Sequence, residues 1–381
     1  MKIFYTKSSF KLIVWVEKSP TLIFRKVSAM KIAIIDADLI GRKNHRFPNL
    51  VCMKLSGYWK KKNADVTLKR DYKNLEYFDK VYISKVFTDT SIDESVLSLS
   101  NVEYGGTGFF FDKAPNLPDE IEHSFPDYTL YEGVCDAKEH KDYSIGFLTR
   151  GCFRKCKFCV NQKFDKVLAH SPLEEFYDAS RKKICLLDDN FFGCPEWKPM
   201  LQKLIDTGKP FKFKQGLDIR IMTDDKCEML FNAKYDGDVT FAFDKLVDYD
   251  LIESKLKLIR KYTDRQCIFY VLGGFDETGV YDENFWYDDV VSLFSRMRLL
   301  MSYGCLPYIT RFIEYQKSPY KGMYINIARY CNQFTFIKKM TFEEFCNLDC
   351  HKERATQKYL NNFLHAHSDF DKSYLRLRWK K

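Results

Sequence analysis

The stretch Gly151-Cys152-Phe153-Arg154-Lys155-Cys156-Lys157-Phe158-Cys159 places three thiols at C-x3-C-x2-C spacing, directly after an apolar run at residues 143–148. Soft thiolates so spaced can converge on one metal centre, and in a chain of this size clustered Cys points to a metal before a disulfide. Zinc needs a fourth protein ligand, normally from a second paired Cys or His element. None follows at a regular interval. Three thiolates suit a four-iron, four-sulfur cluster that leaves one iron for a ligand outside the protein. The plain alternative is three reduced thiols in a basic loop.

The elements that must position such a loop have to come from a chain of 381 residues, enough for two or three domains. With 45% hydrophobic and 16% aromatic residues, wholesale disorder is excluded. No apolar run approaches the ~20 residues of a membrane span, so no membrane partner is expected. Thirteen Cys is an odd number in a long chain without a secretion signal, which points to a soluble protein of the reducing cytoplasm. The net charge of +9 invites a nucleic-acid partner, but residues 1–29 carry six basic residues against Glu17 alone. The remaining excess is slight for so large a body, and a nucleic-acid partner is not indicated.

Residues 1–29 read as a detached extension, with Met30 as the expected biological start and an ordered edge strand as the alternative. From residue 30 to 126, buried strands at 32–35, 66–68, 80–84 and 102–104 alternate with a helical stretch at 50–61, a pattern that predicts a Rossmann-like parallel sheet. Residues 127–141 form a linker that Tyr128 and Tyr131 pack down. Strand, loop and helix then recur from 142 to 312. Strands are expected at 183–187, from 211, at 239–244, 267–272 and 306–312, and helices at 197–206, at 251–262 and after the Ser171-Pro172 N-cap. The tail, 313–381, is helical in pattern and Tyr- and Lys-rich; His365 and His367 are expected to face solvent. Cys331, Cys346 and Cys350 there raise the question of an auxiliary cluster, although Cys beside Phe and Leu is more commonly buried.

The cysteine spacing, with Phe158 as the aromatic residue just before the last Cys, resembles the signature of the radical S-adenosylmethionine (SAM) superfamily. The resemblance covers most of the chain: residues 142–312 strongly, 30–126 in part, 1–29 not at all. It implies an α/β fold in which the six strand–helix units form a partial (β/α)6 barrel, with the chemistry at the carboxyl ends of the strands. It further implies that Cys152, Cys156 and Cys159 hold a 4Fe-4S cluster whose open iron takes the amino and carboxylate groups of SAM. A reductant, a flavodoxin- or ferredoxin-like electron donor, would then drive cleavage to methionine and a 5′-deoxyadenosyl radical.

Further residues follow from the same resemblance. Asp188-Asp189-Asn190 stand where the superfamily has Gly-Gly-Glu, as acceptors for the amino group of SAM; any one of them could equally be a helix N-cap. Arg220 would pair with the SAM carboxylate, or else form a surface ion pair. Asp244 would accept the ribose hydroxyls, and Gly273-Gly274 would approach adenine. The first domain resembles the cobalamin-binding domain that precedes many radical SAM domains, which makes cobalamin a candidate cofactor and radical methylation a candidate reaction. Asp36, Asp38 and Gly41 match its D-x-H-x-x-G loop except that Asp38 replaces the cobalt-binding His, and a hard carboxylate does not replace imidazole. Gly105-Gly106 match its later glycine pair, or are simply turn residues. Either cobalamin binds without an axial side chain, or the domain keeps only the fold. A methylthiotransferase is disfavoured, since residues 30–141 contain only Cys52 and Cys135. A non-catalytic iron–sulfur sensor or nucleic-acid-binding module is the alternative from another class. The substrate is not legible.

Overall fold

In the computed structural model the chain divides into two compact units, residues 1–140 and 141–381. The structure describes residues 29–134, 138–348 and 355–380, together with two three-residue strands, Lys11–Ile13 and Phe24–Lys26, that pair antiparallel. The rest of the expected extension, Cys135, Cys350 and the neighbouring His351 lie outside the described residues.

The first unit is built on four parallel strands: β1 (Lys31–Asp36), β2 (Asp65–Lys69), β3 (Lys80–Ser84) and β4 (Val102–Gly105), in the order β2-β1-β3-β4. The apolar run Ile32-Ala33-Ile34-Ile35 is fully buried, as a central strand covered on both faces requires. Helix α1 (Leu50–Lys61) begins at Asn49, whose side chain accepts from the backbone N–H groups of Val51 at 3.0 Å and Cys52 at 3.4 Å. The expected alternation of strands and helices is only partly realised. The links after β2 and β3 hold short 3-10 segments, Leu75–Tyr77 and Glu94–Ser98, in place of full helices. Tyr128 and Tyr131, in the segment expected to be a linker, are buried.

Among the described residues of the second unit, six strands run parallel: β5 (Tyr143–Gly146), β6 (Lys183–Leu186), β7 (Phe211–Phe213), β8 (Val239–Ala242), β9 (Cys267–Gly273) and β10 (Leu306–Arg311). They form two parallel three-stranded sheets, β5-β6-β7 and β8-β9-β10, joined by a parallel bridge between Leu217 and Phe241. Along β9, Cys267, Phe269 and Val271 are buried in the core while Ile268, Tyr270 and Leu272 are half-buried on the opposite face, the period of two that pleating imposes.

Helices α2 (Trp197–Asp206), α3 (Asp224–Asn232), α4 (Tyr249–Ile259) and α5 (Glu283–Ser302) follow β6, β7, β8 and β9. The helix expected after Ser171-Pro172 is a single 3-10 turn, Leu173–Glu175, whose start lacks a side-chain cap. The described part of the tail holds the helices α6 (Lys321–Asn332), α7 (Phe334–Lys339), α8 (Phe342–Cys346) and α9 (Thr356–Ala366). His367 departs from the solvent-facing expectation, because it packs 4.2 Å from the Tyr287 ring and 5.0 Å from that of Phe363. Cys331 and Cys346 are buried, Cys331 beside the Met297 sulfur at 3.8 Å. No described helix is long and apolar enough to cross a membrane.

Candidate functional site

The cysteine loop leaves the carboxyl end of β5. Its base is pinched by an antiparallel pair in which Thr149 opposes Ala169 and Arg150 opposes Leu168. Gly151 opens it at φ +97, and a Cβ there would lie 2.4 Å from the Lys166 carbonyl oxygen, so only glycine fits. Two carboxylates after β6 hold the loop. Asp188 accepts from the Leu148 N–H at 3.2 Å and from the N–H and hydroxyl of Thr149, both at 2.6 Å. Asp189 accepts from the Gly151 N–H at 3.0 Å and from the Asn161 side-chain amide at 2.6 Å, gripping the stretch on both sides of the three thiols. Hydrogen bonds to a charged group contribute about 1.5–3 kcal/mol each. Burial pushes the Asp188 carboxyl up to about 7, against its three donors.

Within the loop the donors turn toward sulfur. The Arg154 N–H points at the Cys152 sulfur at 3.3 Å, and the Asn161 N–H at the Cys159 sulfur at 3.4 Å. The Asn190 side-chain amide reaches the Cys152 sulfur at 3.4 Å. The Asn190 amide oxygen, although buried, has no hydrogen-bond partner. A buried acceptor without a donor is costly, and a donor from outside the protein would satisfy it. All three cysteines are half-buried and free of disulfides. Burial raises the Cys156 thiol, and Asp244 and Cys159 raise it further while Arg220 opposes. Burial also raises Cys159, with Asp189, Cys152 and Asp244 adding to it. The thiols therefore share one electrostatic neighbourhood with residues from the exits of β6, β7 and β8.

Arg220 donates to Asp218 at 2.7 Å and to Asp248 at 2.8 Å, and Arg154 of the cysteine loop donates to the other oxygen of Asp218 at 2.8 Å. Burial alone would raise the Asp218 carboxyl, but Arg220 and Arg154 outweigh it and hold it below the usual carboxylate range. No motif in the sequence marks Asp218; its local signal is Arg220 two positions on, with which it pairs. The Asp244 carboxylate accepts from the Leu272 N–H at 3.2 Å.

Phe158 meets Phe275 edge to face at 5.3 Å, and the Lys157 ammonium donates to the Glu277 carbonyl at 3.0 Å, so the loop is also fastened to the exit of β9. Gly274, in that exit, has φ +79 and would clash with Tyr315 if it carried a Cβ; Gly273 faces Leu293 of α5. Cys152, Cys156, Cys159, Phe158, Asp189, Asn190, Arg220, Asp244 and Gly274 are thus brought together. Asp188 is turned to the backbone and Gly273 to the core. Among the described residues no three His, Cys, Asp or Glu converge on a single-ion site. A cubane asks less of the thiolates in that respect, since each takes a different iron, and N–H groups aimed at sulfur are a normal part of its surroundings.

In the first unit the corresponding strand exit is closed on itself. Asp36 accepts from the Tyr131 hydroxyl at 2.8 Å and caps the turn at Ala37–Gly41. Asp38 accepts from the Val86 N–H at 2.6 Å, the Phe87 N–H at 3.4 Å and the Thr90 hydroxyl. A Cβ on Gly41 would lie 2.7 Å from the Ser91 carbonyl oxygen, and one on Gly106, at φ +109, 2.2 Å from that of Lys85. Gly105 differs, with open space on its Cβ side.

No family model matches this chain, and no curated protein matches it. Two solved structures do, both of a cobalamin-dependent S-adenosylmethionine radical enzyme, OxsB. One has aqua-cobalamin and S-adenosylmethionine bound, at 14% identity and a TM-score of 0.37; the other has aqua-cobalamin bound, at 15% and 0.35. Each match covers 93% of this chain and 60% of that chain, so this protein spans about three fifths of the length it is matched to. At that identity and TM-score the likeness does not extend to residues or ligands.

Proposed function

We propose that the chain is a radical SAM enzyme whose second unit is a partial barrel, with a 4Fe-4S cluster on Cys152, Cys156 and Cys159. The observation that carries this is the orphan, buried amide oxygen of Asn190, a side chain whose amide nitrogen donates to the Cys152 sulfur at 3.4 Å. It is an unclaimed acceptor on a side chain that reaches the thiols, and its chemistry suits the ammonium of SAM. With an electron from a flavodoxin- or ferredoxin-like donor, the bound cluster would supply the reductive cleavage of SAM to methionine and a 5′-deoxyadenosyl radical. The chain's own residues do the rest: Asp188 and Asp189 hold the loop, Asn190 receives the amino group, and Asp218 fixes Arg154 against Arg220. Asp244 and Gly274 are the groups for the adenosyl end. A non-catalytic iron–sulfur module would use the Asn190 amide on sulfur but leave its buried oxygen without a donor.

Cobalamin held axially through Asp38 does not fit the first unit, because both oxygens of Asp38 are engaged by residues 86–90. A corrin bound without an axial side chain is favoured by one observation, the open side of Gly105. Corrin absorbance retained after desalting supports that second reading, and its absence removes it.

The main proposal is tested anaerobically. Iron and sulfide are reconstituted into the full chain, the protein is reduced, and 5′-deoxyadenosine is followed after SAM is added. Formation that disappears in Cys156→Ala supports the proposal. A cluster that assembles but never cleaves SAM overturns it.

A further inference from the structure

Arg296, midway along α5, is 1% exposed and flanked by the buried Leu293, Phe294, Met297 and Leu300. A guanidinium in such a place costs several kcal/mol unless its donors are matched. They are matched to the exits of two strands. One terminal nitrogen donates to the carbonyls of Asp244 and Leu272, both at 2.9 Å, and of Phe243 at 3.2 Å. The β8–β9 register ends at Ala242 opposite Tyr270, and these carbonyls lie just past it. The Nε donates to the Ser292 carbonyl at 3.2 Å. The other terminal nitrogen faces Asp289 at 3.9 Å, two turns back on the same helix face. Asp289 in turn accepts from the Gly274 N–H at 2.6 Å and from the buried Tyr324 hydroxyl at 2.7 Å. Burial pushes the Asp244 and Asp289 carboxyls up, and in both Arg296 is the leading group that opposes it.

We infer that Arg296 is a positioning residue for SAM: with Asp289 and Tyr324 it fixes the β8 and β9 exits, so that the Asp244 carboxylate and the Gly274 turn are held ready for the adenosyl end. This rests on the radical SAM reading above and adds to it a residue remote from the thiols. A purely structural arginine would support the fold without favouring one end of the ligand. The two ends can be separated, because methionine carries the groups assigned to the cluster side and 5′-deoxyadenosine those assigned to Asp244 and Gly274.

The test measures equilibrium binding of SAM, methionine and 5′-deoxyadenosine to the reconstituted full chain, with iron content determined alongside. Arg296→Met is expected to weaken SAM and 5′-deoxyadenosine by about tenfold or more while iron content and methionine affinity hold, the size typical of supporting residues around a site. Arg296→Lys should recover part of the loss, and Tyr324→Phe should show a smaller loss of the same kind. If Arg296→Met fails to fold, the Lys and Phe variants decide: unchanged 5′-deoxyadenosine affinity in both overturns the inference. Equal weakening of methionine and 5′-deoxyadenosine overturns it as well. A wild-type chain that loads iron and binds no SAM instead overturns the functional reading, and this inference with it.

Discussion

Two strand exits, one in each unit, carry carboxylates in similar sequence settings and use them in opposite ways. At the end of β1, Asp36 closes a buried strand with Asp38 just beyond it, and every contact described for them ends on the chain itself: Tyr131, the backbone of residues 38, 39, 86 and 87, and Thr90. After β6, Asp188 and Asp189 also satisfy the backbone, but the next residue does not. Asn190 keeps one buried oxygen unpaired and directs its amide to a cysteine sulfur. An acidic loop at the carboxyl end of a parallel strand is therefore not in itself a ligand site. The distinction lies in what is left over after the protein has met its own hydrogen-bonding needs.

The sharpest way to break this comparison is to remove one thiol. Cys156→Ala should abolish stable iron binding, read as iron per chain and as the visible absorbance of the reconstituted protein, while Asp38→Ala leaves both unchanged. Equal iron loss in the two variants would mean that the exits are not functionally distinct.

Next in size is the leftover acceptor. Asn190→Ala is expected to lower SAM affinity by about 10- to 100-fold, the worth of one hydrogen bond to a charged group, as measured by titration calorimetry. Asp38→Ala should leave SAM affinity alone and appear instead in stability. It strands two backbone N–H groups and a hydroxyl, at a cost of about 3 kcal/mol, measurable by urea unfolding.

The smallest effect expected is electrostatic. The folded Asp218 carboxyl lies below its ordinary value, so the stability it contributes is present above its unfolded pKa, near pH 4, and is lost as pH falls through the folded value. Asp218→Asn should therefore cost about 1 kcal/mol at pH 7 and progressively less in acid. A cost that does not change with pH would remove the two arginines as its cause.

Much of this arrangement is legible from local pattern. The strand at Lys80–Ser84 and the helices at Leu50–Lys61 and Trp197–Asp206 fall where hydrophobic period and breaker residues put them. The thiol spacing is local as well. What escapes is the assignment of partners across long sequence separations. Nothing near residue 188 tells that its acceptors are claimed by donors about forty positions earlier, or that residue 189 shares that fate and residue 190 does not. Arg220 carries the right charge for a carboxylate ligand, yet Asp218 and Asp248 already engage it. Arg296 left only a faint trace, a charge among the apolar positions of α5 with an acid seven residues before it, a spacing that also occurs on solvated helix faces.

The fastening of the cysteine loop to the exit of β9, through Phe158 on Phe275 and Lys157 on the Glu277 carbonyl, carries a thermodynamic obligation. If the adenosyl end of a ligand orders one side of that junction and the cluster orders the other, each lowers the ordering cost left for its partner. By reciprocity, whatever factor SAM adds to iron retention, iron must add to SAM affinity. Iron loss to a chelator should then slow in the presence of SAM, and an interrupted junction, as in Phe158→Ala, should leave the two binding events more nearly independent.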